Sequence, residues 1–313
     1  MPPRDLLRTI AGFTDIDWAA VERGEAVSKL LDTDVREVAV VGAVRITGSR
    51  DQLLARFRDL DTLKGSTILD VGRFSAVPTA ADLQRVVFDE RSLDLRACKP
   101  GDCPVRLSAA DIARFHREVN WTGSDWKTQS AAVWRSVLAG YAGAYLASGR
   151  PALPDYVNKR DPLSVASEVS LLTGEYGFLA GYSPELHAYL KDFGARMPPG
   201  AEQVLYWTRE DFGIRPIVRI SHQVMMKASA PYPSTFIATN QVYADHYLDA
   251  ALTVTLGLEA GRDFYMISVS RARTRSLSGL MRRFARATVQ GRSREAMRKA
   301  LAVTRSAIEK TPR

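Results

Sequence analysis

The sequence is poor in cysteine and in long apolar runs. Its 313 residues include two cysteines, Cys98 and Cys103, and no run of about 18 apolar residues that would indicate a membrane span. The opening MPPRDLLRTI also lacks the apolar core of a signal peptide. Two interpretations fit: a cytoplasmic protein, or an exported mature form whose signal has been replaced by a starting Met. We expect the periplasmic or secreted form, because oxidising compartments keep closely spaced cysteine pairs closed.

Motifs of known catalytic chemistry are missing as well. The sequence contains no Gly-x-Ser-x-Gly elbow, no Gly-rich phosphate loop, no His-Glu-x-x-His and no paired-carboxylate signature. We therefore predict no catalytic residue, no metal site and no cofactor, although an enzyme can lack such a motif.

Basic residues are concentrated at the end of the chain. The formal net charge is +8, but residues 271–313 contain 13 Lys and Arg against Glu295 and Glu309, a balance of +11 that leaves −3 for the rest. Such a segment can face the phosphates of lipid headgroups or of nucleic acid, or it can be a solvated helix flank. Nucleic acid is disfavoured as a partner, because aromatic residues are not interleaved with these arginines.

Five runs rich in Val, Ile, Thr, Tyr and Phe follow one another in the last third of the chain. Short joints of Gly, Pro, Asp and Ser separate them, as between consecutive antiparallel strands. Within 246–258 the even positions are mostly apolar, whereas Thr253, Thr255 and other odd positions are polar. One apolar sheet face is therefore predicted over the strands 203–209, 216–228, 235–244, 246–259 and 262–271.

A single long helix is predicted at 276–309. Its apolar residues recur at spacings of three, four and seven, which is the pattern of one buried helical face. A helix of that length needs a large apolar partner, and the sheet before it offers one. We expect contact with the sheet through Leu280, Met281, Phe284, Met297, Leu301 and Ile308.

The first third of the chain mixes strands and short helices. A short helix and its exit are predicted at 15–31, with Asp15 or Asp17 as N-cap, and a helix is predicted at 49–63, with Ser49 as N-cap. The remaining predicted elements are strands at 35–46 and 67–75, a short helix at 79–86, and short strands or extended segments at 89–97 and 104–108.

A helical block follows, with helices predicted at 108–119, 124–149, 164–174 and 183–194. The block is either a second domain or an insertion between the first strands and the main sheet. We favour an insertion, since a lone strand at 35–46 would have an unpaired edge unless it joined the later sheet. The predicted organisation is one domain over 1–313, a helical insertion at 108–200, and the main sheet with the C-terminal helix at 201–311.

This order of elements resembles the START-like (SRPBCC) lipid-binding superfamily. The resemblance covers 203–310 and one early strand, and the pieces CKPGDC, YWTREDFG and NQVYADHYLDAAL are similar to uncharacterised bacterial proteins of that superfamily. It implies the helix-grip fold, an α+β fold in which a curved antiparallel sheet grips a long C-terminal helix. These pieces carry no established chemistry, so the resemblance transfers no functional residue.

The two cysteines lie in CKPGDC, where Pro-Gly can form a turn. Such a turn brings two sulfurs within disulfide reach, with Cα atoms about 5–6 Å apart. A metal site would need two more ligands, and His116 alone does not complete one. A structural disulfide is the favoured interpretation, with free thiols and a redox or metal role as alternatives.

Two histidines, His222 and His246, fall in phase with the apolar residues of their predicted strands. Each is either a core histidine satisfied by hydrogen bonds or part of a cavity that recognises the polar end of a ligand. Asp245 is not expected to pair with His246, because adjacent strand residues point to opposite faces. The predicted ligand-binding residues are His222, Met226, Asn240, Tyr243, His246, Leu252, Met281 and Phe284.

The predicted function is binding or transport of an apolar small molecule, foremost a lipid, in a cavity between sheet and C-terminal helix. The alternative is an enzyme of the same fold that acts on a hydrophobic substrate with His222 or His246 as acid/base. If the ligand is a lipid, a basic strip beside the cavity can dock the protein on an anionic membrane surface. Its predicted membrane-facing residues are Arg282, Arg283 and Arg286.

Overall fold

The computed structural model describes residues 1–65, 67–191, 197–211, 215–228, 232–275 and 282–310, apart from the side chains of 282–285. The described residues form α-helices and strands in alternating blocks. The helices are α1 (Pro3–Ala11), α2 (Asp15–Glu22), α3 (Arg50–Arg58), α4 (Glu90–Leu93), α5 (Ala109–Glu118), α6 (Trp126–Ser148), α7 (Val165–Gly174), α8 (Pro184–Lys191) and α9 (Arg282–Lys310). The strands are β1 (Val27–Leu30), β2 (Glu37–Thr47), β3 (Ile68–Arg73), β4 (Asp155–Tyr156), β5 (Leu163–Ser164), β6 (Glu202–Glu210), β7 (Ile217–Ala228), β8 (Ser234–Ala244), β9 (Ala250–Ala260) and β10 (Asp263–Arg273).

Eight of these strands form one antiparallel sheet in the order β1-β2-β10-β9-β8-β7-β6-β3. β2 pairs with β10 along its whole length, from Glu37 opposite Arg273 to Thr47 opposite Asp263. Each strand thereby satisfies backbone N–H and C=O groups that an isolated strand would leave open. An α+β fold with a large antiparallel sheet and a C-terminal helix was predicted, and it is confirmed.

The sheet buries residues on both faces, and different helices cover them. We call face 1 the side that carries Val41, Leu252, Val254 and Ile267, which belong to the larger core together with α6, α7 and α8. Face 2 is the side that carries Val44, Ile46, Phe264 and Met266, which pack with α3 and α9. Because side chains alternate along a strand, neighbouring residues such as Leu252 and Thr253 belong to different faces.

α6 is the main helix of the block that covers face 1. Its buried residues include Trp134, Tyr141 and Tyr145, and it ends at Gly149, the last residue of the helix predicted at 124–149. Gly149 has φ 69°, a backbone conformation that favours glycine. The Trp134 Nε1–H donates to the carbonyl of Ser92 over 2.7 Å, so the indole is buried with its polar group satisfied.

A network of buried charges also joins the helical block to face 1. Arg273 Nε lies 2.7 Å from the Glu168 carboxylate of α7, and its Nη1 lies 2.6 Å from Asp34. Arg271 Nη1 lies 2.5 Å from Glu37 on β2. Arg271, Arg273, Glu37 and Glu168 are all buried, and each has an opposite charge as a partner. These pairs connect β2, β10 and α7 at one end of the sheet.

Several local predictions need correction. Within 15–31 the short helix ends at Glu22, and the part predicted as its exit forms the strand β1, which pairs with β2. Its N-cap is Thr14, whose side chain accepts from the backbone N–H of Asp17 in a capping box. Ser49 caps α3 as predicted.

Neither of the two segments predicted beside the cysteines as short strands or extended segments forms a strand in the described secondary structure. Residues 89–97 contain the one-turn helix α4, and 104–108 belong to no strand. Within 104–108, the backbone N–H of Arg106 donates to the carbonyl of Asp245, and the carbonyl of Leu107 accepts from Val157. These contacts join 104–108 to distant segments of the chain.

Candidate ligand-binding site

The predicted ligand-binding residues of the sheet lie on the opposite face from α9. Asn240 is paired with Leu252 and with His222, and all three project from face 1 towards the helical block. Met297 and Leu301 of α9 approach Gly42 on face 2, where an added Cβ would lie 2.7 and 2.6 Å from their side chains. The prediction assumed one apolar sheet face covered by the C-terminal helix. The sheet instead buries two faces, and the helical block takes the more apolar one.

His222 is hydrogen-bonded through both ring nitrogens. Nδ1 lies 3.1 Å from the Tyr145 hydroxyl of α6, and Nε2 lies 2.9 Å from Oε1 of Gln203. Burial lowers the pKa of His222 from 6.5 to about 4, so the ring is neutral near pH 7. Burial also raises the pKa of Tyr145. These contacts are typical of a core histidine whose two ring nitrogens are both hydrogen-bonded. Contact of His222 with a ligand remains a prediction.

Asn240 is buried beside the same tyrosine. Its Nδ2 donates to the Tyr145 hydroxyl over 3.5 Å, whereas its Oδ1 has no hydrogen-bond partner among the described residues. Met226 also lies on face 1, opposite Phe236 on β8. The structure therefore brings His222, Asn240 and Tyr145 together as a small polar cluster beneath α6.

His246 lies in the turn before β9, so the strand phase assigned to it was wrong. Tyr247 has φ 60°, and this turn brings His246 Nδ1 within 2.8 Å of Asp245 Oδ1. The expectation that the two side chains point apart fails, because it required a continuous strand. Neither ring nitrogen forms a well-directed hydrogen bond with the described residues.

The hydroxyl of Tyr243 is hydrogen-bonded within the protein. Its hydroxyl donates to the carbonyl of Arg106 over 2.9 Å, and the Arg106 guanidinium lies 2.6 Å from the buried Asp249 carboxylate. Burial raises the pKa of Tyr243 well above its ordinary value. Tyr243 thus helps to hold the segment around Arg106 against the turn at 245–249.

The predictions for the start of the C-terminal helix fall partly outside the described residues. Met281 lies outside them, as do the side chains of Arg282, Arg283 and Phe284. Arg286 is half-buried and donates to the carbonyls of Asp34 and Thr33, at 2.7 and 3.2 Å. Arg286 therefore binds the turn between β1 and β2.

Cys98 and Cys103 form a disulfide, with Cα atoms 4.6 Å apart. The carbonyl of Cys98 contacts His116 Nε2 at 2.7 Å. The backbone N–H groups of Gly101 and Cys103 donate to Val157 and Asn158. The disulfide loop is thereby attached to the segment that follows α6.

Face 2 carries a row of polar side chains that was not predicted as a site. It runs across four adjacent strands, where Gln223, Thr239, Thr253 and Ser270 are successive cross-strand partners. The next row adds Thr255, whose hydroxyl lies 3.0 Å from that of Ser268. We call these six residues the polar strip: Gln223, Thr239, Thr253, Thr255, Ser268 and Ser270.

Hydrogen bonds link the members of the polar strip to one another. The hydroxyls of Thr253 and Ser270 lie 2.9 Å apart, and Thr239 donates to Gln223 Oε1 over 3.4 Å. Gln223 Nε2 donates to the carbonyl of Phe57, at the end of α3, over 2.9 Å. The six side chains of the strip therefore form three hydrogen-bonded pairs: Thr253 with Ser270, Thr255 with Ser268, and Thr239 with Gln223.

α3 and α9 border the polar strip. α3 packs on β8 and β9, and an added Cβ at Gly257 would lie 2.8 Å from Leu53. α9 packs on β1 and β2, where Ser28 Oγ donates to the carbonyl of Arg294 over 3.0 Å. Thr239, Thr253 and Ser270 are half-buried between them. The middle of face 2 is thus partly accessible to solvent while its margins are covered.

The polar strip continues directly into buried apolar residues. In one row across face 2, Thr255 and Ser268 are followed on β8 and β7 by Ile237 and Met225. Both apolar residues belong to the core that includes Phe264, Met266 and Leu301. The sequence contained a signal for this strip, namely the polar odd positions of β9. Those positions are equally typical of a solvated sheet face, so the pattern alone did not identify a site.

No group of three or more possible metal ligands occurs among the described residues. No helix in the part of the chain that the structure describes is long and apolar enough to cross a membrane. No family model matches the sequence, and comparisons with curated proteins and with solved structures find no match either.

Proposed function

We propose that the protein binds a lipid-like molecule on face 2 of the sheet, over the polar strip and beside α9. The observation that carries this proposal is the half-buried state of Thr239, Thr253 and Ser270 between two covered margins. Apolar side chains of the face 2 core adjoin these polar groups, so a ligand there would contact both kinds of surface. Sites of mixed character, mostly apolar with a few polar groups, are typical of small-molecule binding.

The connectivity of the sheet supports a helix-grip arrangement as part of this proposal. β2, the helix α3 that follows it, and the final helix α9 all meet on one face, with β10 beside β2. Register shifts interrupt the pairing of β7 with β8 and of β3 with β6. Bulges of this kind bend strands, which supports a curved sheet around α9.

The basic surface of α9 supports a membrane-docking role for the same protein. Arg292, Arg294, Arg298 and Lys299 are exposed, and Arg298 lies 2.6 Å from Glu295. Clustered basic residues near an anionic bilayer contribute about 1 kcal/mol each to binding. Docking through α9 would bring face 2 close to the source or the recipient of the lipid.

The proposal is tested by native mass spectrometry of the protein purified from its own host. We expect a co-purified lipid in the parent protein and its loss in Thr253→Trp, which fills the space above the polar strip. Val77→Trp is the matched control, because Val77 is 76% exposed and belongs to no strand. An equal amount of lipid in both variants would exclude the strip as the site, and a parent protein that takes up no lipid would exclude the function.

One observation favours a second candidate function. The Asp245 carboxylate lies 2.8 Å from His246 Nδ1, and an imidazole beside a carboxylate can serve as a general acid or base. The candidate is an enzyme that acts on a hydrophobic substrate with His246 as acid/base. Turnover of nitrophenyl esters of short and long acyl chains by the parent, and its loss in His246→Gln, would support it. Equal rates for both proteins would remove His246 from consideration.

A further inference from the structure

The chemistry of the polar strip bears on which lipid-like molecules can bind. All six of its side chains are uncharged: two threonines on β9, one on β8, two serines on β10, and Gln223 on β7. An ionised carboxylate or phosphate taken out of water requires a charged partner or several donors aimed at it. The strip has hydroxyls and one amide to offer, which both donate and accept.

The charged residue that precedes Gln223 on the same face of β7 already forms an ion pair. Ser221 lies two residues before Gln223 on the same face of β7, and Arg219 lies two residues before Ser221. Arg219 Nη2 lies 2.6 Å from Glu210, which is buried and also accepts from the Thr208 hydroxyl. This ion pair satisfies itself and presents no net charge to a ligand.

The strip retains capacity for additional hydrogen bonds. A hydroxyl has one donor and two acceptor sites, so the single bond between Thr253 and Ser270 uses only part of what the two groups can form. The same holds for Thr239, which the structure shows donating to Gln223 at a long 3.4 Å. Since these three residues are half-buried, a ligand can reach them without disrupting the sheet.

A simple solvated sheet surface does not account for the strip. Gln223, Thr255 and Ser268 are at most 5% exposed, whereas the polar face of a water-facing sheet is exposed along its length. Three buried polar residues and three half-buried ones in adjoining rows describe the floor of a site rather than an outer surface.

We infer that the ligand is an amphipathic molecule with an uncharged, hydrogen-bonding polar end, such as a hydroxyl, ester or amide, and not an ionised acid or phosphate. This inference rests on the proposed function. The polar end contacts Thr239, Thr253 and Ser270, and the apolar part extends towards the half-buried Phe57, which packs against the core that contains Met225 and Ile237.

The inference is tested with three probes of one chain length: a monoacylglycerol, the corresponding fatty acid and the corresponding lysophosphatidic acid. Their affinities are measured by displacement of an apolar fluorescent reporter from the parent protein. We expect the monoacylglycerol to bind at least about tenfold more tightly than either charged probe, since burial of an unpaired ion is costly. Tighter binding of a charged probe would overturn the inference and leave the proposed function intact. If none of the three probes binds, the proposed function fails as well.

Isosteric variants locate the contact. Thr253→Val removes one hydroxyl of the strip, and we expect it to weaken monoacylglycerol binding about fivefold, as for the loss of one hydrogen bond. Thr235→Val is the control: Thr235 lies on the same face of β8, four residues from Thr239, and its buried hydroxyl has no hydrogen-bond partner among the described residues. Ser270→Ala provides a second test at the neighbouring hydroxyl. Unchanged affinity in both strip variants would overturn the inference.

Discussion

The two faces of the sheet have opposite characters although they share the same strands. Face 1 is filled by aromatic and aliphatic side chains of the helical block, and buried ion pairs join it to α7. Face 2 has one apolar core where α3 and α9 cover it and a smaller one around Val204 and Tyr206 of β6, and between them it carries the polar strip. The comparison indicates that face 1 supplies most of the stability, which leaves face 2 able to keep half-buried polar groups for a ligand.

The largest expected effect concerns the ion pairs of face 1. Arg273→Leu would remove one of the two arginine partners of Glu37 and of Glu168, which Arg271 and Arg36 still contact, and we expect a loss of about 3 kcal/mol in the free energy of unfolding, the lower end for a broken buried ion pair. Urea denaturation measures it, with Arg294→Leu as the exposed control, for which we expect a change within about 0.5 kcal/mol. Similar losses in both variants would mean that the buried charges do not hold the helical block.

The next effect is a pH dependence located on face 1. The pKa of His222 falls from 6.5 to about 4 on folding because burial disfavours the charged ring. Between these values the unfolded chain binds the extra proton, so stability is fully present above about pH 6.5 and is lost as the pH falls towards 4. The difference corresponds to about 3 kcal/mol at most.

The measurement is the free energy of unfolding of the parent and of His222→Gln between pH 7 and pH 4. Gln can still hydrogen-bond to Tyr145 and Gln203 but does not titrate in this range. We expect the variant to lose less stability than the parent as the pH falls. Parallel curves would show that His222 does not titrate with folding.

The sequence predicts which residues of a strand share a face, but it does not predict which helix covers that face. The alternation in β9 correctly separated Leu252 from Thr253, because side chains of a strand point to opposite sides. It could not say which helix covers which side, since α6 and α9 both have apolar residues to bury. That choice depends on contacts between residues far apart in the chain, such as Tyr145 with His222 or Met297 with Gly42.

The turn at His246 shows a second limit. The residues before β9 continue the apolar pattern through Leu248, and so the strand was extended over them. In the structure, the buried Asp249 carboxylate is bound by Arg106 and by the backbone N–H of Arg275, so this segment turns instead of pairing. The local sequence pattern cannot predict these contacts, because residues 106 and 275 lie far from Asp249 in the chain or outside its strand.

Adjacent tryptophan substitutions compare the two faces directly. Leu252→Trp places a larger side chain in the packed core of face 1, and we expect it to destabilise the protein by about 1–3 kcal/mol with little effect on ligand affinity. Thr253→Trp projects onto the half-buried strip, where we expect a smaller loss of stability and a large loss of monoacylglycerol binding. Thermal unfolding and reporter displacement measure the two quantities on the same samples. The opposite outcome, with binding lost only in Leu252→Trp, would return the ligand site to face 1.

The smallest effect per residue is expected on the outer side of α9. Arg294 and Lys299 are exposed on the helix that borders face 2, whereas Arg117 on α5 and Lys191 on α8 are exposed on the helical block. If the protein docks through α9, Arg294→Gln and Lys299→Gln should each weaken binding to anionic vesicles by about 1 kcal/mol, and the matched changes at 117 and 191 should not. Salt should reduce binding of the parent steeply, because exposed charges are screened over about 10 Å at 0.1 M. Co-sedimentation with vesicles of rising anionic lipid content, at low and moderate salt, measures all four variants. Each of the four substitutions removes one positive charge. A general effect of net charge would therefore weaken vesicle binding equally in all four variants, and only a selective loss of binding in the variants at 294 and 299 supports docking through α9.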